Sequence, residues 1–182
     1  MRNFTFIDKI RNKIKIDKSS KVFIGKNIKM SKCHVIIKGK NNTLVIEDNC
    51  ILRSSTIEIV GDNCKIEIGK NCMIGKDCYL SAKEENITLV IREDCGLSRN
   101  VKIMTSDGHP IYQNSKRCNN AQSVLVNEHV WIADNVTILK GVTIDSDSVI
   151  GINATVTKNI PANSVAAGNP ARVVKNNISW DS

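Results

Sequence analysis

The chain has 182 residues, a formal net charge of +8, 41% hydrophobic and 24% charged residues, which suits one folded domain and excludes a disordered chain. Its apolar residues are strongly β-branched, 26 Ile and 16 Val against 3 Phe, 2 Tyr and 2 Trp, a bias that disfavours a helix bundle. No run of about 18 apolar residues and no continuous apolar leader occurs, so the expectation is a cytoplasmic protein that neither spans a membrane nor is secreted.

Residues 1–21 form a basic segment, with seven Lys or Arg against Asp8 and Asp17. Within it Ile7, Ile10 and Ile14 fall at helical spacing between the cations. That pattern serves either as a solvated strip packed on the end of the core or as a peripheral contact with a membrane surface. Nucleic acid is excluded as a partner, because the body of the chain has neither a basic stripe nor base-stacking aromatics.

From Val22 the apolar residues recur in pairs, Val22/Ile24, Leu44/Ile46, Ile66/Ile68 and Leu89/Ile91, spaced by 22, 22 and 23 residues and each followed by a polar turn. Cys50, Cys72 and Cys95 lie four places after an inward isoleucine, and Cys64 and Cys78 follow Val60 and Ile74 in the same way. These five cysteines therefore read as small core residues. The total of seven and the lack of a CxxC pair argue against disulfides and zinc, and free buried thiols suit a reducing compartment. His34 and His129 lie beside regular coils and read as surface or turn residues.

The series Ile91, Leu97, Ile103 predicts an inward apolar residue at 109, where the chain instead places His109, within TSDGHPIY, and continues with a polar stretch to Ser123. Gly108 permits a tight turn and Pro110 fixes the exit, so the imidazole is either a general base held by its backbone or a cap on the last coil. From Val126 an apolar residue recurs every six positions, at Ile132, Ile138, Ile144, Ile150 and Val156. A period of six is the mark of a parallel β-helix. Residues 22–175 are thus expected to form an all-β column of about seven coils stacked at about 4.8 Å, with an excursion loop at 109–123 and a tail at 176–182. The histidines lack the convergence a zinc enzyme needs, so no metal is expected. Gly168, Asn169 and Pro170 form a turn, and Lys158, Arg172 and Lys175 are either ordinary solvated charges or partners for phosphate groups. Trp131 reads equally as a surface aromatic or a site residue.

The hexapeptides, TSDGHPIY, HVWIADNVTILKGVTIDSDSVIG and the tail AAGNPARVVK resemble the left-handed β-helix acyltransferases, in particular the bacterial capsule and O-antigen polysaccharide O-acetyltransferases. The resemblance supplies the left hand of the helix and implies a trimer whose clefts bind acetyl-CoA and a glycan acceptor between subunits. It makes His109 the catalytic base and puts Trp131 near the thioester. Trp131, Ala133, Gly151, Thr157, Lys158, Gly168, Arg172 and Lys175 would line the acetyl-CoA path, and Asp107 and Tyr112 would lie with the acceptor. Asp107 or Glu128 would orient the imidazole. Ala133 and Asp145 stand where the family has glycine, and Gln113 where it has an acidic residue. Acetylation of a small acceptor and a non-catalytic scaffold are the competing readings; an uninterrupted core register would favour the scaffold.

Overall fold

A computed structural model describes residues 2–181 of the chain; of the expected leading segment and tail, Met1 and Ser182 fall outside the described residues. Short strands in which every second residue is buried wind into seven coils with three flat faces. Face one stacks Lys13–Ile16, His34–Lys38, Thr56–Asp62, Tyr79–Glu85, Lys102–Met104, Thr137–Ile138 and Thr155–Val156. Face two stacks Lys21–Ile24, Thr43–Ile46, Lys65–Ile68, Thr88–Ile91, Val124–Val126 and Thr143–Ile144. Face three stacks Lys29–Ser31, Ile51–Arg53, Met73–Ile74, Gly96–Leu97, Trp131–Ile132, Val149–Ile150 and Ser164–Gly168, and is closed by the antiparallel strand Ala171–Asn176.

The pairings Ile24–Ile46–Ile68–Ile91 repeat the spacing read from the sequence. Ile91 then pairs with Val126, across the long excursion, and Val126 with Ile144, one hexapeptide coil on. Aliphatic side chains from all coils meet in one core in which Ile24, Leu44, Ile66 and Leu89 are fully buried. The corners need left-handed backbone, which Asn and Asp tolerate best among non-glycine residues. One corner carries Asn27, Asn49, Asn71, Asp94, His129, Asp147 and Asn163, all at φ of 53–63°. Its amides bond from coil to coil, Asn49 to Asn71 at 3.0 Å and Asn71 to Asp94 at 2.9 Å. His129 is thus a turn residue, as expected.

Six cysteines, Cys33 as well as the five named above, are buried at corners, and Cys118 is exposed. The thiols of Cys50, Cys72 and Cys95 each donate to a carbonyl of the next coil at 3.0 Å, from Gly69, Arg92 and Asn127 respectively. Burial pushes the Cys50 thiol up to about 12, which makes it inert as a nucleophile. Val60 is half-buried rather than inward; Ile59 takes the core position before Cys64.

The column begins at Lys13 rather than at Val22, because Lys13–Ile16 already pairs with His34–Lys38. Before it, Arg2 bridges Ile24, Phe4 is buried against the end of the core, and Asn12 is buried, bonding the Cys33 amide at 2.9 Å. The helix Phe6–Arg11 crosses that end, closed by a capping box between Thr5 and Asp8. It is too short to include Ile14, which lies on the first strand and packs on the core. No helix among the described residues is long and apolar enough to cross a membrane.

Candidate functional site

The excursion replaces the corner between faces one and two in the fifth coil. Its neck closes where the Gln122 amide donates to the Thr105 carbonyl at 2.9 Å, and Thr105 and Ser106 are buried there. The chain therefore leaves the core before 109. His109 is exposed, contrary to the inward place expected for it, because the hexapeptide count was carried past a backbone that had already turned out at Thr105.

Beyond the neck the loop is braced. Asn119, 7% exposed, accepts from the Ile111 amide at 2.6 Å and donates to the His109 carbonyl at 2.8 Å and to Asp107 Oδ2 at 2.9 Å. Lys140 Nζ bonds Asp107 at 2.5 Å and the Asn119 carbonyl at 3.0 Å. Glu84 accepts from Ser106 Oγ at 2.8 Å and from Arg117 at 2.6 Å. The hydrogen bonds of Lys140 and Asn119 hold the Asp107 carboxyl below the usual range. Burial works to raise Glu84, yet Arg117 and Ser106 hold it low as well. Tyr112–Gln113 and Lys116–Arg117 form a two-stranded hairpin whose turn residues Asn114 and Ser115 have φ of 52° and 61°, as a type I′ turn requires. Tyr112 is 64% exposed on it. The backbone around His109 is thus fixed while the imidazole stays open; among the described residues neither Asp107 nor Glu128 hydrogen-bonds it. Cys118 donates its thiol to the Ile111 carbonyl at 3.4 Å.

A second feature lies on face three. The outward row there runs Ile51, Met73, Gly96, Trp131, Val149, Val165. Gly96 leaves a missing side chain between Met73 and Trp131, and a groove of about 820 Å³ opens over it. Trp131 is 42% exposed, and its indole Nε1 donates to Ser98 Oγ at 3.2 Å. Trp180, from the tail, forms the facing wall. It stacks on His129 with ring centroids 4.2 Å apart, donates Nε1 to the His129 carbonyl at 3.1 Å and tilts 41° to Trp131 at 6.1 Å. His129 Nδ1 lies 2.7 Å from Asp147 Oδ1, which anchors the stack. Arg99, paired with Asp134 at 2.6 Å, stands on the rim with Arg53 and Lys76. The sequence reading missed Gly96, Trp180, Glu84, Asn119 and Lys140. Gly96 stands out only once its pairing with Met73 and Trp131 is known; the others carry no periodic signal.

Beside the groove, Gly75, Ser98, Ala133, Gly151 and Ala167 take the same place coil after coil, since each of the first four amides bonds the carbonyl before the next. Gly151 also has a packing reason, because a Cβ there would come within 3.0 Å of Ala167 Cβ. The smooth strip ends at the exposed turn of Gly168 and Pro170, where Arg172 and Lys175 are exposed on the closing strand. Thr157 and Lys158 lie elsewhere. They follow Thr155–Val156 on face one, one coil above Lys140, on the same edge as the His109 loop. The chain thus divides the expected residues: His109, Asp107, Tyr112, Thr157 and Lys158 on one edge, Trp131, Ala133, Gly151, Gly168, Arg172 and Lys175 on face three and its border.

The structure is thus a stacked β-column interrupted by one braced histidine loop and flanked on face three by an aromatic groove. No family model matches the chain. It is 36% identical over 118 residues to a polysialic acid O-acetyltransferase of Escherichia coli O1:K1, covering 64% of this chain and 38% of that one. A galactoside O-acetyltransferase of Lactococcus lactis is 32% identical over 156 residues, covering 76% and 73%. The crystal structure of the polysialic acid O-acetyltransferase OatWY superposes with a TM-score of 0.77 at 31% identity, over 94% of this chain and 88% of that one. The chain belongs to the left-handed β-helix O-acetyltransferases of the polysialic acid and galactoside type. It spans 38%, 58% and 62% of the length of three further-reaching curated relatives of that type.

Proposed function

We propose that the protein transfers an acetyl group from acetyl-CoA to a sugar hydroxyl of a bacterial surface polysaccharide or its precursor, with His109 as general base. The observation that carries the reading is the solvent-open imidazole on a braced loop, at the long excursion that interrupts the fifth coil, in a chain of this family. The residues fit the donor: the small-residue strip can seat an extended pantetheine arm, and Lys158, Arg172 and Lys175 offer charge-assisted partners to its phosphates. His109 removes the hydroxyl proton as the oxygen attacks the thioester carbonyl; the tetrahedral intermediate collapses, the C–S bond breaks, and the imidazolium returns the proton to the departing thiolate. The free corner thiols suit a reducing cytoplasm, where acetyl-CoA is made.

Because the expected residues fall on an edge and on a separate face, a complete site needs the His109 edge of one copy laid against face three of the next. That contact is heterologous, and three copies close it into a ring. Sedimentation should give a trimer of the 20.1 kDa chain; a stable monomer with full turnover refutes it. Co-expressed H109A and W131A chains should recover part of the activity in mixed assemblies, since one cleft then holds both native residues.

His109→Ala should leave assembly and acetyl-CoA affinity intact, the side chain being exposed, and lower kcat by about 100- to 10,000-fold. Thiol release is the assay, over an acceptor panel holding polysialic acid and simple galactosides, the two acceptors that the relatives' names contain. Retention of more than about a tenth of turnover ends the general-base assignment.

A further inference from the structure

The charge of the chain is gathered at one end of the column. Residues 1–40 hold twelve of the 26 Lys and Arg but only Asp8 and Asp17 of the acids, whereas residues 41–182 hold fourteen Lys and Arg against sixteen Asp and Glu. Arg2 pairs with Asp8 at 2.6 Å; among the described residues no other cation of this set has an ion-pair partner. Lys9, Lys13, Lys15, Lys18 and Lys29 are all exposed on the helix and the first coil, whose strands pair with the second coil and, on the outer side, only through the single Arg2–Ile24 bridge among the described residues.

The same end carries unspent apolar surface. The helix Phe6–Arg11 has no buried residue, and Phe6, Ile7 and Ile10 are 78%, 58% and 68% exposed. Spacings of one, three and four put these side chains on one side of the helix. A six-residue helix is marginal by itself. Here the capping box of Thr5 and Asp8, buried Phe4 before it and buried Asn12 after it hold the apolar side chains out, away from the core.

We infer that this end is a docking surface for an anionic lipid bilayer: Phe6, Ile7 and Ile10 enter the boundary between headgroups and acyl chains, and the surrounding lysines lie against the acidic headgroups. Apolar insertion and lysine attraction together are the two signals that give stable peripheral binding. A second copy of the chain is a poor occupant, because end-to-end contact would bring the same uncompensated cations together. A soluble polyanion would satisfy the lysines and leave the three apolar side chains in water. Gly96 is in the fourth coil, three strand spacings or about 14 Å from the first, so a docked protein keeps its groove clear of the bilayer. The inference is independent of the acetyl-transfer reading.

Flotation of the intact protein with vesicles of phosphatidylcholine alone and of phosphatidylcholine with 30% phosphatidylglycerol tests it. At 0.1 M salt we expect at least tenfold stronger partition onto the anionic vesicles, largely lost at 0.5 M. The F6S/I7S/I10S variant should lose tenfold or more with unchanged circular dichroism, and K9E/K13E/K15E should do the same. Should either triple variant fold poorly, Phe6→Trp supplies the second measurement, since brominated lipid should quench its fluorescence beyond that of the wild type. No anionic preference, no added quenching at residue 6, or serine-variant binding equal to wild type would overturn the proposal. Binding to heparin that competes fully and ignores the serine substitutions would overturn it in favour of a polyanion, and self-association lost with those substitutions in favour of a second copy.

Discussion

Filling the groove at Gly96 should stabilise the protein and disable it. Neighbouring strands in the column are about 4.8 Å apart, so Met73 and Trp131 stand about 9.6 Å from each other across Gly96. A Cβ added at 96 meets nothing within 4 Å, and its φ is not positive. Valine is therefore accepted by the backbone, and the loss of glycine's freedom in the unfolded chain is worth about 0.4–1 kcal/mol. Its methyl groups also cover Met73 and Trp131, at about 0.8 kcal/mol per fully buried carbon. Together these give about 1–2 kcal/mol and a Tm rise of about 3–6 °C for a chain of this size. If donor or acceptor lies in the groove, Gly96→Val lowers kcat/KM at least tenfold, about 1.4 kcal/mol of transition-state binding, and Gly96→Ala falls between. Calorimetry and thiol release measure the two effects. A rise in Tm with kcat/KM unchanged would show that the substrates do not use this groove, and a fall in Tm would show that position 96 is not an empty slot.

Three other outcomes follow from the loop and the closing strand. Asn119→Ala leaves the Ile111 amide and His109 carbonyl without their partner, a loss of about 1–3 kcal/mol; faster hydrogen exchange over residues 107–119 and a lower kcat at unchanged acetyl-CoA affinity should follow. Asp107 and Glu84 are held below their ordinary 3.8 and 4.5, so their bracing is complete above those values and is lost as pH falls through the depressed ones. The Tm should accordingly be level from pH 7 to 5 in these two groups' contribution and drop below about pH 4, with D107N and E84Q flattening the acid limb. Arg172→Ala, at an exposed position on the strand that closes face three, should raise the KM for acetyl-CoA more than it lowers kcat, because a phosphate contact binds ground and transition states alike; collapse of kcat at constant KM would place Arg172 in the chemistry instead.

The coils were legible because each inward position meets the same surroundings one coil on, so Leu44, Ile66 and Leu89 had to be alike and their spacing survives in the sequence. The excursion was legible too, as the place where that likeness stops. His109 shows where the reasoning failed: a period gives positions only while the backbone keeps its register, and the neck at Thr105 and Gln122 had already released it. Gly96 was hidden for the opposite reason. Outward residues vary freely, so one missing side chain among them means nothing until the pairing of Met73, Gly96 and Trp131 is known. Trp180 belongs to no repeat, and its place depends on a stack with His129 that no local pattern announces.

The column's tolerance of insertion explains how chemistry can be hung on it. Partners of one coil are 35 residues apart across the loop, as Arg92 and Asn127 are, and 18 apart in the next, as Asn127 and Asp145 are. Doubling the length of a closed segment costs only about 0.6 kcal/mol in chain entropy, which the Glu84, Asn119 and Asp107–Lys140 contacts can offset. At Gly96 the fold forgoes a side chain that its neighbours in the row have, again at a cost of about 1 kcal/mol. The two concessions lie on different parts of the same chain, the loop at one edge and the gap on face three. Neither is needed to stack coils, and each exposes what the proposed transfer would use, an imidazole in one case and an aromatic-walled slot in the other. A monomer would keep them apart, which is why assembly, rather than any change within the chain, is the step that should complete the site.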